Sequence, residues 1–96
     1  MPIDQLLTTK RQEILRLAAK HGAQNVRVFG SVARGEASPH SDVDFLVDAG
    51  PKRTAFFPGG LLADLEELLG CNVDVVTEKA LDPSIRERVL HEAIPL

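Results

Sequence analysis

Apolar residues recur at a helical spacing in three stretches of this chain and at a strand spacing in three others. In "TTKRQEILRLAAKHGA", residues 8–23, Ile14, Leu17, Ala18 and His21 share one helical face. Thr9 and Gln12 have the spacing of a capping box, and Gly22 is the expected stop. "NVRVFG" then alternates Val26 and Val28 against Arg27 and Phe29, which predicts a short strand ending at Gly30. "SVARGE" reads as one or two helical turns, and "DVDFLVD", residues 42–48, as a second strand. The proline- and glycine-rich "AGPKRTAFFPGG" predicts a loop. "LLADLEELLG" returns to a helical period, with Leu61, Leu62, Leu65, Leu68 and Leu69 on one stripe and Gly70 closing it. "CNVDVVT" is a third, mostly β-branched strand. In "DPSIRERVLHEAI", Asp82 caps a helix with Pro83 at its first position and a stripe of Ile85, Val89, Leu90, Ala93 and Ile94. This order predicts an α/β domain with one small sheet covered by helices, strand directions left open.

Against that pattern, Asp42 and Asp44 are out of place. Strand interiors exclude aspartate, because a buried carboxylate without a partner is costly. The two lie on one side of their strand, about 6.5–7 Å apart along the backbone, while Val43, Phe45 and Val47 face the other way. Asp74, between Val73 and Val75, repeats the arrangement. If the two strands are neighbours, three carboxylates converge and raise one another's pKa unless a cation sits among them. An all-oxygen set of this kind suits Mg²⁺, or Mn²⁺, far better than zinc. Gly30 and Ser31, where a strand gives way to the expected helical turns, offer close backbone approach, free N–H groups and a hydroxyl to a phosphate. The chemistry that joins these parts is two-metal phosphoryl or nucleotidyl transfer.

Size and charge narrow the partners. Ninety-six residues predict a single domain, residues 1–96, that buries roughly 60–65% of its unfolded surface. A net charge of −3, no Trp or Tyr and only four Phe argue against a long nucleic-acid partner. No apolar run approaches a membrane span and no secretory pattern opens the chain. The lone Cys71 fits a reducing compartment, so a cytoplasmic location without membrane contact is expected.

Gly30-Ser31, ten residues, then Asp42-x-Asp44, with Asp74 on a later strand, resembles the GS-x10-DxD hallmark of the minimal nucleotidyltransferases of the DNA polymerase β-like superfamily. The resemblance extends over "RVFGSVARGEASPHSDVDFLVD", "LEELLG…VDVVT" and "IRERVLHEAIPL". It implies the polymerase β-like nucleotidyltransferase fold, an α+β arrangement with a small mixed sheet under helices. By it, Asp42 and Asp44 would bind two Mg²⁺ ions, and Asp74 would complete one site and help deprotonate the attacking hydroxyl. Gly30 and Ser31 would hold the triphosphate of ATP, with Arg34 a further candidate for phosphate. The family resembles a set of adenylyltransferases, many of them antitoxins paired with a helical HEPN ribonuclease toxin that they silence by adding AMP to a tyrosine.

The residues themselves limit the acceptor. The chain leaves no room for an acceptor domain, so a partner or a homo- or hetero-oligomer would have to supply the missing surface. With no tyrosine it is not its own tyrosine substrate, though serine or threonine remains open. Two other classes stand beside the enzyme: a non-catalytic module that neutralises its partner by contact, and a small-molecule nucleotidyltransferase acting as an oligomer. The three aspartates disfavour the first and the absent acceptor domain the second. Blander roles are set beside the sharp ones. Arg34 reads slightly better as an ion pair anchoring the turn, and Ser31 as a cap that still touches phosphate. Lys52 and Arg53 read as solvated, one of Phe56 and Phe57 as core, and Ser41 as orienting its loop. His21, His40 and His91 lack metal-ligand spacing and read as structural or surface residues, and Cys71 as a small buried hydrophobe.

Overall fold

The strongest alternation in the sequence becomes the middle of the molecule. In the computed structural model, which describes residues 3–36 and 42–96, the elements are α1 (Ile3–Thr9), α2 (Arg11–Lys20), β1 (Ala23–Phe29), β2 (Val43–Ala49), α3 (Gly59–Leu69), β3 (Val73–Thr77), a single 3-10 turn (Glu78–Ala80), α4 (Pro83–Glu92) and β4 (Ile94–Pro95). The sheet order is β3-β2-β1-β4. β1 runs antiparallel to both β2 and β4, whereas β2 and β3 are parallel and joined through α3. The sheet is therefore mixed, as expected of an α+β fold of this kind.

Period-two alternation gives the sheet two different faces. Val43, Phe45 and Val47 of β2, fully buried, join Val28, Val73 and Val75 beneath Ile14 and Ala18 of α2 and Leu61, Leu65 and Leu69 of α3. The opposite face carries a smaller cluster, Leu46 with Leu81 and Val89, flanked by Phe29, Val76 and Ala93. Asp44 and Asp48 lie on either side of Leu46 on that second face. No helix among the described residues is long and apolar enough to cross a membrane.

Element ends differ from the sequence reading in instructive ways. The first helical stretch is two helices hinged at Lys10, and no side chain caps α2. The Thr9–Gln12 capping box does not form. Leu7, in the α1 segment that the periodicity missed, is buried. "SVARGE" is a hydrogen-bonded turn rather than a helix, with Arg34 N–H on the Gly30 carbonyl (3.1 Å) and Glu36 N–H on that of Ser31 (2.9 Å). Gly70 closes α3 in the left-handed conformation, and Asp82 caps α4 by accepting from Ser84 N–H at 2.9 Å, both as the sequence indicates. α4 ends two residues early, because Ala93 turns extended and Ile94 pairs with Val28 as a short fourth strand. Its predicted stripe is only partly used: Val89 is buried, whereas Ile85 and Leu90 are exposed. Phe57 packs against the main core and Phe56 is 86% exposed, so one of the two serves the core.

The loop after β2 is pinned through the buried His21. His21, only 9% exposed, places Nε2 2.7 Å from Asp64 Oδ2 and Nδ1 3.2 Å from Thr54 Oγ1. Its backbone carbonyl accepts from Thr54 N–H at 3.1 Å. The His21 Nε2 hydrogen bond holds the Asp64 carboxyl below its ordinary range. His21 is thus structural, and His91 lies exposed on α4. His40 and Ser41 fall outside the described residues. Cys71 is half-buried against the core, and its burial pushes the thiol pKa up, away from reactivity.

Candidate active site

The carboxylates gather where β2 and β3 begin, beside the end of β1. Parallel pairing sets Asp44 directly opposite Asp74, and antiparallel pairing sets Phe29 opposite Asp44. Residues in register on neighbouring strands share a face, so Asp44 and Asp74 project together toward the α4 side. Asp42 stands exposed just before β2, two residues upstream. Gly30 follows Phe29 at φ +74, where an L-side chain is strained, and a Cβ there would run into the Asp44 carboxylate. The positive φ calls for glycine, and any larger residue would also push the Asp44 carboxylate aside. Ser31, half-buried, begins the turn, whose internal bonds use the N–H groups of Arg34, Gly35 and Glu36. Among the described residues those bonds leave the N–H groups of Ser31, Val32 and Ala33 uncommitted.

Electrostatics mark Asp44 as the strained member. Half-buried, its carboxyl is pushed above the ordinary range first by desolvation, then by the charges of Asp74, Asp42 and Glu92; Arg34 offsets this only in part. Such repulsion within one fold is the arrangement a divalent cation relieves, and all-carboxylate oxygen is the donor set of a hard cation. Asp42, Asp44 and Asp74 are the residues that could hold it. Among the described residues no three carboxylate, imidazole or thiol groups are placed to hold a metal ion by themselves. An ion that keeps waters and borrows oxygens from a substrate phosphate does not need three protein ligands.

Arg34 is committed within the chain. Its Nη1 donates to Glu92 Oε1 at 2.7 Å and its Nε to Glu36 Oε2 at 3.0 Å. The ion-pair reading of Arg34 matches this geometry. Glu92 also accepts from Gly30 N–H at 2.8 Å, so a carboxylate sits on the corner proposed for phosphate. Sequence reasoning had no access to Glu92. It lies sixty-two residues beyond Gly30, at the end of α4.

Nucleotidyl transfer is the chemistry this corner fits, and comparison with known proteins agrees. The profile of the nucleotidyltransferase domain family matches residues 10–96. The chain belongs to this family. It is 39% identical over 94 residues to the protein adenylyltransferase MntA of Thermococcus cleftensis, covering 96% of this chain and 90% of that one. A solved structure provisionally described as a minimal nucleotidyltransferase superposes with a TM-score of 0.85 at 51% identity, over 100% of this chain and 97% of the other. A toxin–antitoxin structure with AMP-PNP shares the fold at 22% identity, TM-score 0.73, over 88% of this chain and 69% of its own. This nucleotidyltransferase is therefore an enzyme of the minimal kind, with its mixed sheet and helices in the family's arrangement.

A second feature lies at the other end of the same sheet face. A cavity of about 470 Å³ there is lined by Asp48, Thr77, Glu78, Lys79, Arg53 and Arg86. Arg27, nearly buried, spans its acids at 2.9 Å to Asp48 and 3.8 Å to Glu78. Arg27, Asp48 and Glu78 pair off within the chain, whereas Arg86 Nε is buried with no hydrogen-bond partner among the described residues.

Proposed function

We propose that this enzyme transfers AMP from ATP to a hydroxyl of a partner protein, with Mg²⁺ as cofactor. The observation that carries the reading is the in-register pair Asp44–Asp74 set against the Gly30–Ser31 corner, with Asp42 two residues away. Asp42, Asp44 and Asp74 would hold two divalent ions, which neutralise charge on the triphosphate and activate the nucleophile. Gly30 and Ser31 anchor the phosphates through N–H and hydroxyl donors. The acceptor oxygen forms a bond to the α-phosphorus as the bond from that phosphorus to the bridging oxygen breaks. Pyrophosphate leaves, and the hydroxyl proton passes toward Asp74.

The partner we infer is a helical HEPN-type ribonuclease, the acceptor one of its tyrosines, and the outcome an antitoxin's silencing of a toxin in the cytoplasm. Support comes from the Thermococcus cleftensis relative, named as a protein adenylyltransferase, and from the shared fold of the toxin–antitoxin assemblies. The test is mass spectrometry of the product of the neighbouring gene after incubation with this enzyme, ATP and Mg²⁺. A gain of about 329 Da per modification, lost in the Asp42→Ala/Asp44→Ala variant, supports the reading. A stable complex with no mass gain replaces it with neutralisation by binding alone.

A further inference from the structure

Glu92 occupies the place a phosphate would take. It is the last residue of α4, and its carboxylate is 18% exposed. One oxygen accepts from Gly30 N–H at 2.8 Å, the other from Arg34 Nη1 at 2.7 Å. The turn itself makes these two donors a single site, since Arg34 N–H bonds the Gly30 carbonyl and folds the guanidinium back over the corner. A backbone N–H beside a guanidinium is the donor pair that recognises a phosphate or a carboxylate.

The carboxylate is there despite its surroundings. A helix C-terminus disfavours negative charge, and Glu92 adds to the repulsion already borne by Asp44. The hydrogen bond to Arg34 is the main influence holding Glu92 below the ordinary carboxyl range, with the Gly30 N–H assisting, so it stays ionised. A triphosphate approaching this corner meets a fixed anion on the donors it needs, and the two cannot share them.

We propose that Glu92 is an internal stand-in for phosphate, holding the Gly30 and Arg34 donors in the nucleotide-free enzyme and displaced when a triphosphate binds. This rests on the reading of the corner as the phosphate site. The ladder pins Phe29 opposite Asp44, so the exchange needs only the Glu92 side chain to swing away from the end of α4, where Ala93 is already extended. Glu92 then sets a threshold: a weak anion fails to evict it, while a triphosphate with several oxygens succeeds.

Calorimetric titration with magnesium tripolyphosphate tests this in wild type, Glu92→Gln and Arg34→Ala. Glutamine keeps the shape and one acceptor but removes the charge, and binding should tighten by about three- to tenfold. Arg34→Ala should weaken it. Equal or weaker binding by Glu92→Gln overturns the proposal and makes Glu92 a brace for the turn. Should that variant fail to melt cooperatively, the wild-type enzyme suffices. Its Glu92 side-chain carboxyl ¹³C resonance must shift together with the Gly30 amide as tripolyphosphate is added; a Gly30 shift with Glu92 unmoved overturns the idea. Absence of tripolyphosphate binding in every variant also overturns it. Displacement without AMP transfer in the mass-spectrometric assay leaves it standing and removes the transferase reading instead.

Discussion

Asp44 and Asp48 sit on the same strand and the same face, one on either side of Leu46, yet they live in opposite surroundings. Asp48 is matched: Arg27 Nη2 donates to it at 2.9 Å, Asn25 Nδ2 at 3.2 Å, and Arg27 is itself steadied by the Asn25 carbonyl at 3.0 Å. Asp44 is opposed by Asp74, Asp42 and Glu92 and relieved in part by Arg34 alone. A paired carboxylate belongs to the fold, whereas an uncompensated one belongs to something that arrives later. One strand thus carries a compensated and an opposed carboxylate four positions apart.

The largest effect that should separate them is on turnover. Asp44→Ala should lower AMP transfer by about a thousandfold or more, while Asp48→Ala should leave the rate per folded molecule within about threefold, by single-turnover assay. Comparable losses from both would erase the distinction. Stability should reverse the ranking. Asp48→Ala leaves a nearly buried Arg27 with the Asn25 carbonyl and a Glu78 carboxylate 3.8 Å away, and urea unfolding should show a loss of about 1–2 kcal/mol. Asp44→Ala should cost less than this or nothing.

Metal should sharpen the contrast at smaller scale. Saturating Mg²⁺ should raise the Tm of wild type and of Asp48→Ala by about 2–5 °C and leave Asp44→Ala unmoved. The smallest effect concerns pH in metal-free enzyme. Because folding raises the Asp44 pKa above its ordinary 3.8, the folded state holds more protons just above that value. Stability contributed by protonated Asp44 is then full below pH ~3.8 and is lost as pH rises through the higher folded pKa. Asp44→Asn should therefore raise the neutral-pH Tm by about 1–3 °C and flatten that decline in a melting series.

Much of this contrast was legible before the fold was known. Val43, Phe45 and Val47 alternate so strictly that their burial, and the opposite orientation of Asp44, follow from the pleat. The Gly30-Ser31 spacing to Asp42 and Asp44 is also local. What stayed hidden depends on pairings between distant segments. Arg27–Asp48, His21–Asp64 and Gly30–Glu92 each join residues at least twenty-one positions apart, and neither propensity nor periodicity encodes such a choice. β4 went unseen for a related reason, since Ile94 is a strand residue only because β1 offers it an edge. The Thr9–Gln12 capping box failed because α1 carries the helical turns through Thr9, leaving Lys10 as the hinge.

The parallel pairing of β2 with β3 has a consequence for how the enzyme comes into being. Antiparallel β1 and β2 bring Gly30 beside Asp44 over a short span of chain, an early and inexpensive closure. Asp74 joins only after the long crossover through α3 has been made, and such non-local pairings form slowly. During synthesis Asp44 precedes Asp74 by thirty residues and Glu92 by forty-eight. On the proposed reading a nascent chain therefore carries half a site, completed only when β3 docks beside β2.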